Sequence, residues 1–390
     1  MIELVIDKNK ECETIALVEN GKLLEVYKND EQSKTNRLEG NIYLGVVEDV
    51  VPGMQAAFID FGEPKKGFIY LKDILPQVDE KEQKIDRNMD IKKIIKPKDK
   101  LLVQVKKDSN EKKGAKVSTH ISLPSKYIVL MPNTDIITIS QKIENHEKRE
   151  HLLGIVKQAL PENTGAVIRT SAEKVSEEEL LEDIKNVLEK WNKIFKIYQD
   201  NIKKDKMLIA KSASIAEKIV IDLVAKKIEK VTTNSKEEYD SLSNMVQNIE
   251  FTKEQDLLNR YDLKSQIQKL QNRKIWLNCG GFITIDRTEA LTAIDVNTGK
   301  FTGNKDLETT IFKVNKEATI EIAKQLRLRD IGGIIIIDYI DMKTQENKDK
   351  IEDLLKEELK KDRAKTQVEG FTKLNLMELT RKHICSHLDE

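Results

Sequence analysis

Short apolar runs separated by turn residues open the chain. Leu4-Val5-Ile6, Thr14-Ile15-Ala16-Leu17-Val18 and Leu23-Leu24-Glu25-Val26-Tyr27 read as three strands. Glu19-Asn20-Gly21-Lys22 between the last two has the composition of a hairpin turn, so residues 1–36 are expected to form an antiparallel unit. The pattern continues as β structure over residues 37–119. Ile42-Tyr43-Leu44-Gly45-Val46-Val47, Ala56-Ala57-Phe58-Ile59-Asp60, Gly67-Phe68-Ile69-Tyr70 and Leu101-Leu102-Val103-Gln104-Val105 are short strands, broken by Pro52-Gly53 and Gly62-Glu63-Pro64. Many short strands with regular turns predict a closed Greek-key barrel of the OB type.

The period then changes. Residues 120–205 start with strands at Tyr127-Ile128-Val129-Leu130-Met131 and Gly165-Ala166-Val167-Ile168-Arg169. They end in a helix opened by the capping box Ser176-Glu177-Glu178-Glu179. Its apolar stripe is Leu180, Ile184, Val187, Leu188, Trp191, Ile194, Phe195 and Tyr198, which makes Trp191 a core residue. Residues 206–272 mix helices with a strand and charge-rich connections. Gly280-Gly281 then introduces a hairpin over 282–285 and 290–294.

Beyond the hairpin, Leu307, Ile311, Val314, Ala318, Ile322 and Leu326 recur at steps of four or three, as one amphipathic helix requires. Asp330-Ile331-Gly332-Gly333 breaks it before the run Ile334-Ile335-Ile336-Ile337-Asp338. Strand, crossover helix, strand makes the two strands parallel. Asp295 and Asp338, each closing an apolar run, are thereby expected together at the carboxyl ends of neighbouring strands.

A carboxylate beside a hydrophobic sheet loses hydration and needs a cation or hydrogen bonds to compensate it. Two converging carboxylates suit a hard cation such as Mg²⁺. Asn297, two residues past Asp295, points to the same side of an extended segment and could orient a carboxylate or a phosphate oxygen. Either aspartate alone reads equally well as a loop start or a turn cap; it is the pair that favours metal.

Composition limits the rest. The 390 residues allow two to four domains, with 39% hydrophobic and 34% charged side chains. The 67 basic residues balance the 67 acidic ones, so any argument for a polyanionic partner has to be local. Residues 91–119 supply one: ten lysines against three acids, next to Phe58, Phe61, Phe68 and Tyr70. Aromatic platforms beside a basic groove are how OB-folds hold single-stranded nucleic acid. Alternatively, the aromatics fill the barrel and the lysines decorate a loop.

Three cysteines, odd in number and far apart, fit a reducing compartment. No apolar run approaches the roughly 20 residues of a membrane span, and no signal peptide is visible. The expectation is a soluble cytoplasmic protein. Asp60-Phe61-Gly62 lacks the other kinase elements and reads as a turn. His383, Cys385 and His387 alternate without a second ligand pair, so zinc is not expected there.

Two long blocks carry a resemblance. Gly280-Gly281-Phe282-Ile283-Thr284-Ile285-Asp286-Arg287-Thr288-Glu289-Ala290-Leu291-Thr292-Ala293-Ile294-Asp295-Val296-Asn297 resembles the signature of the ribonuclease E/G family. So does Gln325-Leu326-Arg327-Leu328-Arg329-Asp330-Ile331-Gly332-Gly333 with the run through Asp338 to Met342. The resemblance extends over essentially the whole chain. It implies an α+β multidomain protein. An RNase H-like domain is split between 1–36 and 206–272, with an S1-type OB-fold (37–119) and a 5′-sensor domain (120–205) inserted. A DNase I-like α/β catalytic subdomain (273–390) follows.

The implied activity is Mg²⁺-dependent endonucleolytic cleavage of single-stranded RNA to 5′-phosphate and 3′-hydroxyl ends. The family's magnesium ligands fall on Asp295 and Asp338, and its active-site asparagine on Asn297. Its RNA-contacting residues fall on Phe58, Phe68 and Lys113, and its 5′-monophosphate pocket on Arg169, Thr170 and the backbone of Val129. Two departures stand out. Ser125 replaces a frequent glycine beside that pocket. Met377-Glu378-Leu379-Thr380-Arg381-Lys382 is followed by a single Cys385, not by the Cys-Pro-x-Cys element that joins a homodimer through zinc, so Zn²⁺ is not expected in this chain. The rival readings are a non-catalytic RNA-binding protein of the same fold, and a metal-dependent phosphatase or DNase.

Overall fold

The computed structural model describes residues 1–30, 38–74, 90–109, 113–223, 228–299 and 307–384. The chain divides into two compact units, Met1–Ser33 with Lys227–Glu390, and Lys34–Lys226.

In the first unit, Ile2–Lys8, Cys12–Glu19 and Lys22–Asp30 form the expected antiparallel meander. Its second turn works because Asn20 and Gly21 both take positive φ, 50° and 77°, which matches the twist of the flanking strands. Lys230–Thr233 and then Ile249–Phe251 add parallel to Ile2–Lys8, making a five-stranded mixed sheet from two distant parts of the chain.

The unit's second sheet has six strands in the order Lys274–Trp276, Phe282–Arg287, Leu291–Asn297, Gly333–Asp338, Leu376–Arg381, Thr366–Phe371. Among these pairings, that of Leu291–Asn297 with Gly333–Asp338 is parallel and the rest are antiparallel. The parallel pair is bridged by the helix Leu307–Leu328, as the crossover pattern predicts. A second helix, Gln345–Leu359, packs with it. One face of the sheet, carrying Ile283, Ile285, Ile294, Val296, Ile335, Ile337, Met377 and Leu379, closes on Ile311, Val314, Ala318, Ile322 and Leu326 of the helix. Leu307 departs from the expected stripe: it lies at the helix start and is 66% exposed.

The second unit contains a closed five-stranded barrel of Ile42–Val51, Ala56–Asp60, Gly67–Tyr70, Lys116–Ser118 and Lys100–Lys107, shut by pairing of the first with the last. Met207–Ala210 pairs with Ile42–Val51 as well, so residues 207–223 lie in this unit and not with the meander. Leu123–Pro124, Ile128–Pro132, Thr164–Ile168 and Ile137–Ile139 make a further sheet, packed by His146–Ala159 and the capped helix Glu177–Asn201. Trp191 is buried in that core, as its place on the helical stripe predicts.

Candidate active site

Strand register assembles the site. Asp295 and Asp338 are direct partners across the parallel pair. Asp295 is also opposite Thr284, which is opposite Lys274; one step along, Asn297 is opposite Phe282, which is opposite Trp276. Side chains alternate faces along a strand, so these residues share the face turned away from the helices. Asn297 Nδ2 donates to Asp295 Oδ2 at 2.5 Å, and among the described residues nothing bonds the carboxylate's other oxygen.

Both aspartates are exposed, which corrects the expectation that burial beside the sheet is what demands compensation. The core face is taken by Ile294 and Val296 of one strand and by Ile335 and Ile337 of the other, and the period of two puts the carboxylates on the opposite side, with Ile334 and Ile336. Like charge remains. The Asp338 carboxyl is held above its ordinary range by desolvation, then by the Asp295 and Asp341 carboxylates. Among the described residues no cation pairs with Asp338 or Asp341. Adjacent carboxylates of like charge, with Arg273 the one cation felt by Asp295 among the described residues, are what a hard divalent cation relieves, so the residues present fit Mg²⁺. Among the described residues no group of three or more His, Cys, Asp or Glu is placed to hold a metal ion.

The crossover helix also fixes the segment after Asp338. Asn315, wholly buried, donates from Nδ2 to Ile340 O at 2.8 Å and accepts at Oδ1 from Ile340 N at 3.1 Å. One turn on, Thr319 Oγ1 and the Tyr339 hydroxyl lie 2.8 Å apart. Neither residue was singled out from the sequence. The available signal was polar side chains at 315 and 319, inside the helix's apolar stripe.

In the barrel, Phe58 and Phe68 are cross-strand partners on its outer surface, with Phe58 43% exposed. Phe68 meets Tyr70 edge to face at 5.5 Å. Phe61 is the aromatic that fills the barrel, 5.0 Å from Tyr43. Lys113 is exposed and precedes Gly114, where a Cβ would stand 1.8 Å from Lys66 O. That close approach brings the Lys113 loop against Lys66 and Gly67, next to Phe68.

In the sheet beyond the barrel, Arg169 Nη1 donates to Ser125 O at 3.0 Å, and Nη2 donates to Asp222. Thr170 Oγ1 lies 2.9 Å from Ser140 Oγ. Val129 is mid-sheet, between Val167 and Pro124. The Ser125 hydroxyl turns inward to buried Asp183, which also accepts from Tyr127 N at 2.9 Å. Ser125 therefore tethers the 125–127 turn to the helix through Asp183.

Residues 122–384 match the model of the Ribonuclease E/G family. The chain belongs to this family. As a member it is an endoribonuclease, a hydrolase. Ribonuclease G of Salmonella typhimurium is 36% identical over 97% of this chain and 79% of its own length. Ribonuclease G of Haemophilus influenzae is 37% identical over the whole chain and 81% of its own length. Ribonuclease E of Buchnera aphidicola is 35% identical over 96% of this chain but 40% of its own length. The family model begins beyond the barrel, whereas the pairwise similarity includes it.

The family block at 377–382 has a structural role in this chain. Arg381, buried at the end of the strand Leu376–Arg381, donates from Nη1 to Asp330 at 2.7 Å and from Nε to Asp362 at 2.8 Å. His383 Nδ1 lies 2.9 Å from Asp330 O, so this ring is engaged by backbone. Cys385 and His387 lie outside the described residues. Among the described residues no helix is long and apolar enough to cross a membrane.

Proposed function

We propose that this endoribonuclease is Mg²⁺-dependent, cuts single-stranded RNA to 5′-phosphate and 3′-hydroxyl ends, and favours 5′-monophosphorylated substrates. The observation that carries this reading is the in-register pair Asp295 and Asp338 on an open sheet face, with Asn297 bound to Asp295. The two carboxylates would hold the metal. Magnesium there would supply Lewis acidity toward a phosphoryl oxygen and offset developing charge. Asn297 fixes one oxygen of Asp295, so the other keeps its direction. Asp341 supports the site by its charge and is not assigned as a ligand.

Phe58 and Phe68 offer ring faces to unstacked bases, and Lys113 offers charge to the backbone, as in other single-strand readers. Arg169 has donors beyond the two used by Ser125 and Asp222, and with Thr170 and the Val129 backbone it would engage a terminal phosphate that a hydroxyl end lacks. The meander joined by two parallel strands supports an RNase H-like unit. The closed barrel supports an S1-type OB-fold, the sheet around Arg169 a 5′-sensor, and the six-stranded sheet a DNase I-like catalytic subdomain. The partner is single-stranded RNA and the compartment the cytoplasm, and a homodimer is compatible with this reading.

The test is a cleavage assay on one oligoribonucleotide carrying either a 5′-monophosphate or a 5′-hydroxyl, with Mg²⁺ or chelator. Cleavage that needs Mg²⁺ and falls by more than about 100-fold in Asp295→Asn and Asp338→Asn, beyond the loss usual for an outer-shell partner, supports the reading. Undiminished cleavage by either variant would overturn it.

A further inference from the structure

The open face that carries the carboxylates also carries an aromatic pair, an exposed Trp276 and a half-buried Phe282. Trp276 is 57% exposed, although most large rings of a domain are buried. Its ring centroid lies 5.3 Å from that of Phe282, the planes meeting at 61°. Lys274 Nζ stands 4.2 Å from the Trp276 centroid and 3.5 Å from the Phe282 centroid. Two side chains that could bury apolar surface in the core are therefore held outside it, with a cation on them. Strand parity is the cause: Ile275, between Lys274 and Trp276, takes the core direction.

The pair is backed from within the site. Gly299, at φ 59°, lies against the Gly280 carbonyl, where a Cβ would come to 2.5 Å. The same Cβ would sit 3.3 Å from Phe282 and 3.4 Å from Trp276, so the absent side chain lets the chain just past Asn297 close under both rings. Cross-strand pairing then runs without interruption from Trp276 to Phe282 to Asn297, whose amide holds Asp295. At about 4.8 Å per strand, the rings stand one to two strand spacings from Asn297.

We propose that Trp276 and Phe282, with Lys274, form a nucleobase-stacking subsite for the nucleotide next to the scissile phosphate. This rests on the reading of Asp295 and Asp338 as an RNA-cutting centre. A stacked base would cover the exposed indole. The Lys274 ammonium would meet the adjoining phosphate or the keto edge of the base. Only an unpaired base presents a free ring face, so such a subsite selects single strands at the point of cleavage, independently of the barrel. Because every base has a ring face, its sequence preference would be weak.

The test walks a single abasic nucleotide through a single-stranded oligoribonucleotide and measures KM and kcat with the full-length protein and Mg²⁺. The wild type is expected to lose about 10-fold or more in kcat/KM at one position flanking the cut. Trp276→Ala should show that loss on the intact RNA and no further loss at the abasic position, while Trp276→Tyr should restore the wild-type profile. A second readout follows from composition: of the two tryptophans, Trp191 is buried, so quenching of fluorescence by an oligonucleotide should report Trp276 and vanish in Trp276→Phe. Melting temperatures of the variants check folding. If the wild type cleaves but Trp276→Ala keeps its KM and its abasic profile, the subsite falls while the catalytic reading stands. A variant that changes only the sedimentation coefficient would mark this surface as a protein interface and likewise overturn the subsite. No Mg²⁺-dependent cleavage by the wild type would instead refute the reading of the centre itself.

Discussion

Asn315 grips both backbone polar groups of Ile340, two residues beyond Asp338. A buried amide on the crossover helix thereby sets where the chain goes after the second carboxylate. Removing it strands a buried N–H and C=O, at a cost of about 1–3 kcal/mol for each group left unpaired. Asn315→Ala is expected to lower the melting temperature and to raise the Mg²⁺ concentration for half-maximal cleavage by about 10- to 100-fold, as lost outer-shell partners do. A Mg²⁺ titration of cleavage rate checks this, and an unchanged midpoint would show that the clamp does not reach the site.

Asp338 is pressed by two neighbouring carboxylates, so removing its charge should relieve the metal-free protein. In chelator, Asp338→Asn is expected to melt at or slightly above the wild-type temperature. With Mg²⁺ the order should reverse, because binding to the folded state alone raises stability with ligand concentration. Scanning calorimetry at neutral pH with and without Mg²⁺ measures both. A variant still stabilised as much as the wild type would remove Asp338 from the ligand set.

Arg169 offers a planar fork of donors, part of it held by Ser125 and Asp222. Lysine keeps the charge but not the fork. Arg169→Lys and Arg169→Ala are therefore both expected to lose most of the preference for a 5′-monophosphate over a 5′-hydroxyl, by about 10-fold. Rates on hydroxyl-ended RNA should stay near those of the wild type. Matched single-turnover assays on the two substrates decide it.

Lys106 lies partly buried against Gln104 Oε1, at 2.7 Å, and Ser122 Oγ, at 3.0 Å, and burial pulls its ammonium down to about 8. Its folded-state pKa is thus below the unfolded value of about 10.4, so the unfolded chain holds more protons between the two. Stability from this group rises with pH across that window, and at pH 7 the charged ammonium is a cost. Lys106→Met should raise the melting temperature by about 2 °C or more at pH 7, and the gain should shrink above pH 8 and close near pH 10.4. Melting curves across this range test the sign.

Arg381 joins two buried carboxylates, Asp330 and Asp362. Truncation takes this shared cation from both. Arg381→Ala is expected to destabilise by about 3–5 kcal/mol, measured by urea unfolding, and to reduce activity only through the folded fraction.

Much was legible because it depends on local period. The Asn20-Gly21 turn, the capped helix with Trp191 in its stripe, and the crossover that makes the strands of Asp295 and Asp338 parallel all follow from neighbours within a few residues. The two aspartates could be paired from sequence because a crossover of one helix leaves little choice of register edge. Asn315 and Thr319 were hidden, since a polar residue in an apolar stripe does not say which backbone group it meets. The strands Lys274–Trp276, Thr366–Phe371 and Leu376–Arg381 were not assigned, being short or edged by charge, and stable only against partners.

By itself the sequence determined the strongly periodic elements, the carboxylate pair and the family, because periodicity and a long contiguous motif are properties of the chain alone. The tertiary structure decided which face each residue takes. It turned Asp295 and Asp338 to the open side and Phe61 into the barrel. It placed Phe58 and Phe68 outside the barrel, and set Trp276 and Phe282 in line with Asn297. The reason is that strand parity and register become definite only when one face of a sheet finds a core, and that pairing joins residues distant in the chain.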